Sequence, residues 1–275
     1  SDTSYRGYPA GHLLGATMLD IHHGDARVLV TGDFALRETA GLPGAVWPEA
    51  EYDALIMESS HAWDTAYPTA DSATNRRSLI NACEDMAKAG ASRILIIASA
   101  LGEASEVYYA LCEAQMAGLL PRFSLRLAGK AHSVSQLYAQ ALRAPKSTWK
   151  NPLMRASEDY IPDWSIVITG DIELGLSNGS DGQMLLPGAY RDCAVLRAHA
   201  GAPSKTDRAQ YALSLHASLY ELSATALAIK CRQVALYHSP LGDGVLRSPL
   251  ANLLNECGRS VVHLDETYRL IGGSL

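Results

Sequence analysis

The residues with the most evident chemistry are three histidines and two acids, each at the end of a short apolar run or in the segment after it. They are His12, Asp33, Glu58, His216 and His238. Two histidines and an aspartate form a ligand mixture that suits zinc, and a remaining acid–histidine pair suits proton transfer. A single histidine at such a place is more often structural than a ligand, so the prediction of a metal site rests on the whole set.

The elements that must position the first three of these residues are predicted as β-strands. Residues 16–23 alternate between apolar and polar, Gly24 and Asp25 are typical of a turn, and residues 26–31 form an apolar run, so a hairpin is expected. Residues 52–58 predict a third strand. Strand ends at one edge of a sheet are where α/β proteins gather their chemistry, and we expect the candidate residues to meet there.

Helices and strands alternate through the rest of the chain, which favours a parallel sheet covered by helices and an α/β fold class. Residues 144–164 contain three prolines and predict an irregular connection, and residues 175–201 are rich in turn formers. The predicted helices cover residues 69–90, 103–117, 132–142, 219–229 and 245–257. The predicted strands cover residues 93–99, 123–127, 165–169, 193–196, 208–214, 232–237 and 260–263.

The composition excludes several classes of protein. With 48% hydrophobic and 19% charged residues, the chain is unlike a disordered protein. No run approaches the ~20 apolar residues of a membrane helix, so no membrane association is expected. Lys and Arg total 23 against 29 Asp and Glu, which gives no strong basic field for nucleic acid. The five cysteines include no C-x-x-C pair, and with no signal peptide we expect a reducing, cytoplasmic setting.

Two other motifs are set aside on their context. Residues 175–179 fit G-x-S-x-G, but the residues that follow are turn formers, whereas a nucleophile elbow requires a helix there. Residues 201–206 end like a phosphate-binding loop but lack its second glycine, and Pro203 stands where backbone amides must bind phosphate.

Taken together, the five candidate residues and their neighbours resemble the β-CASP branch of the metallo-β-lactamase fold. That branch includes the nucleases of messenger-RNA 3′-end processing, RNase J and Artemis. Its A-G-H-x-x-G-A motif matches residues 10–16, and its T-G-D motif matches residues 31–33. Its acidic marker I-x-E-S matches residues 56–59, and its two later histidine markers match His216 and His238.

The resemblance implies a partial metallo-β-lactamase (αββα) layer into which a β-CASP α/β domain is inserted. The partial metallo-β-lactamase domain would comprise residues 1–68 and 201–275, and the inserted domain would comprise residues 69–200.

The resemblance also implies a role for each candidate residue. His12 would bind one zinc ion, His238 would bind another, and Asp33 would bridge the two. His216, supported by Glu58, would contact the scissile phosphate or protonate the leaving group. The reaction would be two-metal hydrolysis of a phosphodiester in RNA or DNA, which makes nucleic acid the implied partner.

The sequence departs from the family pattern in three ways. The family's chief motif, H-x-H-x-D-H, does not occur, and the chain begins shortly before His12. Ser218 stands where the family often has an acid, and Glu103 where it commonly has arginine. Each zinc ion would then keep two protein ligands, whereas catalytic zinc normally has three. We therefore expect a truncated metallohydrolase with an incomplete metal site and no measurable nuclease activity from the isolated chain.

Two alternatives remain: a catalytically silent interaction or assembly protein on the same scaffold, and a fragment complemented by a separate N-terminal chain. Residues 28–30 and 55–57 are apolar and would lack their covering layer. If no separate N-terminal chain covers them, a homodimer is expected. The remaining histidines without motif context, which are His61, His132, His199 and His263, are predicted to be ordinary polar or structural residues.

Overall fold

The computed structural model describes residues 2–39, 42–63, 65, 72–141, 154–156, 160–170, 190, 192–198, 215–239 and 242–264. The chain divides into two compact units. Unit 1 contains residues 1–38, 42–69 and 215–275, and unit 2 contains residues 39–41 and 70–214. The assignment of the two predicted domains to a metallo-β-lactamase layer and a β-CASP insertion stays a prediction.

The helices and strands alternate as the sequence predicts. The strands are β1 (Thr3–Pro9), β2 (Thr17–His23), β3 (Ala26–Val30), β4 (Glu51–Glu58), β5 (Arg93–Ala98), β6 (Ser124–Leu127), β7 (Met154–Arg155), β8 (Ser165–Thr169), β9 (Ala194–Ala198), β10 (Lys230–Tyr237) and β11 (Ser260–His263). The α-helices are α1 (Ser72–Lys88), α2 (Glu103–Met116), α3 (Gly129–Ala141), α4 (Leu219–Ala228) and α5 (Pro249–Glu256).

Unit 1 is built on a mixed six-stranded sheet with the order β1-β2-β3-β4-β10-β11. The first three strands pair antiparallel, and β3, β4, β10 and β11 pair parallel. In register, Val30 lies beside Ile56 and Tyr237 lies beside Glu58. The start of β2 and the carboxyl ends of β3, β4 and β10 therefore share one edge of the sheet.

Helices α4 and α5 cover the buried side of this sheet. Leu55 and Met57 of β4 pack in one core with Leu222 of α4 and Leu250 of α5, and all four are fully buried. Their burial removes apolar surface from water and holds the carboxyl ends of the strands in place.

The predicted helix over residues 245–257 is wrong in its first part. A 3₁₀-helix (Gly242–Arg247) comes first, and α5 begins only at Pro249. The Ser248 hydroxyl caps α5 by accepting a hydrogen bond from the Ala251 backbone N–H at 3.1 Å. Proline cannot donate a backbone hydrogen bond and favours the first turn of a helix, which is why the continuous helix breaks here.

Unit 2 contains a parallel five-stranded sheet with the order β7-β6-β8-β5-β9. Alternate residues of β5 enter separate cores on its two faces. Ile94 and Ile96 pack with α1 and α2, and Leu95 and Ile97 pack with Val167 of β8. This burial on both faces explains why β5 has a continuous apolar sequence.

The remaining differences from prediction are local. Strand β1 is not predicted because its residues are mostly exposed and do not alternate. Helix α3 begins three residues before the predicted start. The predicted strand over residues 208–214 and both rejected motifs lie outside the described residues. None of the described helices combines the length and apolar character needed to cross a membrane.

Candidate metal centre

Asp33 is placed by the turn that follows β3. The Thr31 backbone N–H donates to the Ile56 carbonyl at 2.9 Å, which extends the pairing of β3 with β4 by one step. Gly32 then has φ of +59°, a left-handed conformation that favours glycine. The turn directs the next residue, Asp33, along the shared edge of the sheet.

His12 is held by a tight loop between β1 and β2. The Ala10 N–H donates to the Ala16 carbonyl at 2.9 Å and closes the loop. Gly11 has φ of +75°, and a Cβ there would meet the Ala35 carbonyl oxygen at 2.5 Å. The glycine of this motif is therefore required by both backbone conformation and close packing.

The Leu215 backbone carbonyl determines the tautomer of His12. His12 Nδ1 lies 2.8 Å from this carbonyl oxygen, which can only accept, so Nδ1 carries the proton. The other ring nitrogen, Nε2, lies 3.9 Å from Asp33 Oδ2. Burial lowers the pKa of His12 below its ordinary value, although the Leu215 carbonyl opposes that shift. Burial thus favours the neutral imidazole, the form that binds a metal ion.

Glu58 and His216 form the acid–histidine pair expected from the resemblance. His216 Nδ1 lies 2.8 Å from Glu58 Oε2, and the Glu58 side chain is fully buried. Glu58 also accepts hydrogen bonds from the Phe34 backbone N–H and the Ser60 hydroxyl, both at 2.8 Å. A buried carboxylate is tolerated when such donors surround it, and here they also fix its orientation.

His238 follows β10 and reaches the same edge. Its φ of +55° is uncommon for a residue with a Cβ. Backbone conformations that are rare in this way are found most often at functional sites. His238 Nδ1 lies 2.8 Å from Asp33 Oδ1, while its side chain remains about half exposed. The Ser59 hydroxyl donates to the Tyr237 carbonyl at 2.6 Å and ties the segment after β4 to the end of β10.

The site also contains residues that the sequence did not single out. His61 is buried, and its ring lies edge-on to that of His216 with centroids 6.0 Å apart. Arg37 Nε lies 3.3 Å from Glu221 Oε1, and its Nη2 donates to the His216 carbonyl at 3.5 Å. The position of His61 just after the I-x-E-S marker was a usable signal, whereas nothing in the sequence marks Arg37.

The structure therefore brings all five predicted site residues together. Among the described residues, two groups have ligand atoms within 4.8 Å of one another. One contains His12, Asp33 and His216, and the other contains Asp33, Glu58 and His238. Imidazoles combined with carboxylates suit a divalent transition-metal ion, so these residue types fit the metal that the resemblance implies.

The chain is similar in sequence to several curated proteins. Endoribonuclease YSH1 of Yarrowia lipolytica is 36% identical over 109 residues, which is 40% of this chain and 13% of that protein. Endoribonuclease YSH1 of Kluyveromyces lactis is 29% identical over 196 residues, 63% of this chain and 25% of that protein. The cleavage and polyadenylation specificity factor subunit 3-II of Arabidopsis thaliana is 34% identical over 109 residues, which is 38% of this chain and 17% of that protein.

The resemblance to the β-CASP nucleases is confirmed. The matched part of the chain spans a quarter or less of the length of each of these three proteins. The shared ancestry is that of nucleases. No family's sequence profile matches the chain.

A solved structure supports the fold class. A protein of unknown function from Enterococcus faecalis V583 superposes with a TM-score of 0.50 and 13% sequence identity, over 97% of this chain and 63% of that one. At this level of identity the likeness concerns the fold alone. The predicted α/β fold class is confirmed.

Proposed function

We propose that this chain is a β-CASP metallohydrolase that binds zinc at the edge of the unit 1 sheet and acts on phosphodiester bonds of RNA. The observation that supports this most directly is the position of Asp33, which belongs to both ligand groups. A carboxylate shared between two ions is the arrangement with which two-metal enzymes bring two oxygens of a phosphodiester together. The endoribonuclease relatives favour RNA over DNA as the substrate.

In this proposal each side chain has a separate role. Bound zinc would activate water and neutralise charge on the phosphate. His12 and Asp33 would hold one ion, and Asp33 and His238 the other. Glu58 orients the His216 ring through Nδ1, so Nε2 would contact the scissile phosphate or donate a proton to the leaving oxygen.

The ligand count limits what these residues achieve alone. When His216 is reserved for the substrate, the described residues supply two side chains to each ion, whereas catalytic zinc normally has three. We therefore propose that further ligands, such as those of a complementary chain, complete the site for turnover. The 275-residue chain by itself should bind RNA in a zinc-dependent way without measurable cleavage.

Fluorescence anisotropy with a labelled single-stranded RNA, in zinc and in EDTA, tests this proposal. We expect binding in zinc that EDTA abolishes and that Asp33→Asn weakens, with His263→Ala of β11 as the matched control. Binding that is absent, or equal with and without zinc, would contradict a hydrolase role. Gel analysis of the same samples shows whether RNA is cut, and zinc-dependent cleavage lost in Asp33→Asn would contradict the incomplete site.

One observation favours the alternative of a catalytically silent interaction protein. The side chains at the edge already pair with one another, since His238 contacts Asp33 and His216 contacts Glu58, both at 2.8 Å. Such pairs satisfy the polar side chains at this edge, including the fully buried Glu58, without an ion. A silent scaffold would contain no zinc after purification in zinc-supplemented medium, whereas the hydrolase would contain it.

We also propose that the chain forms a homodimer. On one face of the unit 1 sheet, Leu29, Leu55 and Met57 are fully buried in the core shared with α4 and α5, whereas Val28 and Val30 on the other face are only partly buried. Further support comes from β1, which is an edge strand with six of its seven residues exposed. Exposed edge strands tend to pair with another chain. Light scattering at micromolar concentration should give twice 29.5 kDa, and a concentration-independent 29.5 kDa would refute the dimer.

A further inference from the structure

We infer that the resting protein binds a single divalent cation between His12, Asp33 and His216, with His216 as the third protein ligand. This inference rests on the proposed function for the metal and concerns the same edge of the sheet. It goes further by giving His216 a role in metal binding that precedes its contact with a phosphate.

The first argument is the separation between His12 and Asp33. His12 Nε2 and Asp33 Oδ2 lie 3.9 Å apart, which is too long for a hydrogen bond between them. Two atoms that each lie ~2.0–2.1 Å from one zinc ion can be at most ~4.2 Å apart. One ion can therefore bridge these atoms, and a closing shift of about half an ångström gives the tetrahedral separation.

The second argument is that a protein oxygen atom fixes Nδ1 of both imidazole rings, and with it the orientation of each ring. The Leu215 carbonyl holds Nδ1 of His12 at 2.8 Å, and Glu58 Oε2 holds Nδ1 of His216 at 2.8 Å. In each ring Nε2 is thus the nitrogen that can act as a ligand. The two ring centroids are 4.4 Å apart, and each ring offers a ligand atom within 4.8 Å of the other's and of an Asp33 oxygen. Ligand histidines in metal sites are typically held in this way by a carbonyl or a carboxylate.

The third argument concerns Asp33. Its Oδ1 lies 2.8 Å from His238 Nδ1, which leaves Oδ2 as the oxygen on the His12 side. His238 accordingly acts on Asp33 as an outer hydrogen-bond partner. Each of the three ligands then has one atom directed to the ion and another fixed by the protein.

The second ligand group lacks these properties. Within Asp33, Glu58 and His238, the Asp33 and His238 side chains contact each other directly at 2.8 Å. Both oxygens of Glu58 accept hydrogen bonds, from the Phe34 N–H and from the Ser60 hydroxyl. An ion there would have to displace contacts around a fully buried carboxylate, which costs the desolvation of the groups left unpaired.

This arrangement has a consequence for catalysis. A single nitrogen of His216 cannot bind an ion and donate a proton at the same time. An ion held by His216 therefore keeps this residue from the substrate, and releasing His216 leaves that ion with two protein ligands. Either state explains why the isolated chain should not cleave RNA.

Calorimetric titration of the metal-free chain with zinc sulfate tests the inference. We expect one zinc per chain and an affinity that falls at least ~100-fold in His216→Ala, which exceeds the usual effect of removing an outer partner. His263→Ala of β11, outside both groups, should bind zinc as the unsubstituted chain does. Two ions per chain, no zinc binding, or unchanged affinity in His216→Ala would overturn the inference.

Long-range ¹H–¹⁵N spectra of the unsubstituted chain provide a readout that does not depend on a variant's folding. On addition of zinc we expect Nε2 of His12 and of His216 to shift, with Nδ1 protonated in both. A shift at His238 without one at His216 would overturn the inference. If one zinc binds through His216 but RNA binding is independent of zinc, the proposed function fails while this inference stands. If RNA binding requires zinc but His216→Ala keeps full zinc affinity, the reverse holds.

Discussion

The two units present parallel strands that end in very different residues. In unit 1, β4 ends in Glu58 and β10 is followed directly by His238, and both described ligand groups lie in this unit. In unit 2, the residues that follow β5, β6 and β8 are Ser99, Ala128 and Gly170. In both sheets the carboxyl ends of the parallel strands lie together at one edge. A parallel sheet therefore only brings strand ends close together, and the chemistry depends on which residues stand at those ends.

The two units also differ in what their burial achieves. Strand β5 of unit 2 buries almost every side chain in two apolar cores, which stabilises the unit. The unit 1 edge buries the Glu58 carboxylate and holds His238 in a left-handed conformation, both of which oppose stability. Substitutions should therefore separate into effects on stability in unit 2 and effects on metal binding in unit 1.

The largest effect is expected from Ile96→Ala in β5. Ile96 is fully buried, so the substitution leaves a cavity and should lower the free energy of unfolding by ~2–5 kcal/mol, while zinc affinity of the folded protein stays unchanged. Urea unfolding and zinc titration measure the two quantities. Leu137→Ala, at a 60% exposed position of α3, is the control and should have little effect. Reduced zinc affinity in folded Ile96→Ala would break the separation.

Glu58→Gln should weaken zinc binding by ~10–100-fold. The amide keeps the size of the side chain but places an N–H₂ group among donors from Phe34, Ser60 and His216, so the His216 ring loses its orientation. The mismatch should also lower stability by ~1–3 kcal/mol. Zinc titration beside Glu49→Gln, an exposed glutamate of the same unit, provides the comparison. Equal affinity in the two variants would show that Glu58 does not orient His216.

A smaller effect is expected from Ser218→Ala at the start of α4. Ser218 forms a capping box with Glu221, so its loss should lower stability by about 1 kcal/mol. His216 lies two residues upstream, and zinc affinity should fall slightly as well. Ser248→Ala removes the N-cap of α5 and is the matched control. It should lower stability equally and leave zinc affinity unchanged, and a drop in affinity there would argue against a local effect on His216.

The smallest effect is the pH dependence that His12 contributes to the metal-free chain. Burial lowers the pKa of His12 in the folded state, whereas the unfolded chain keeps a value near ~6.5. Below that pH the unfolded chain binds more protons, so the stabilising contribution is present above pH ~6.5 and is lost as the pH falls. Urea unfolding at pH 7.5 and 5 should show a larger loss in the unsubstituted chain than in His12→Gln. Equal losses would exclude this role.

Much of the fold and of the site could be predicted because the signals are local. Apolar alternation identifies β2, a continuous apolar run identifies β5, and Gly24 marks the turn between β2 and β3, where its φ is +57°. The sequence does not predict strand β1, because the pairing of its exposed residues depends on neighbours distant in sequence. It does not predict the break before α5, because that break depends on a single Ser–Pro step.

By itself the sequence determined which residue types stand at the strand ends and which nuclease lineage they resemble. Only the tertiary structure decided how those side chains are oriented. The carbonyl that sets the tautomer of His12 belongs to Leu215, 203 residues away, and Glu58 meets a histidine 158 residues away. Such contacts depend on the strand order that places β4 beside β10, and local periodicity contains no information about that order.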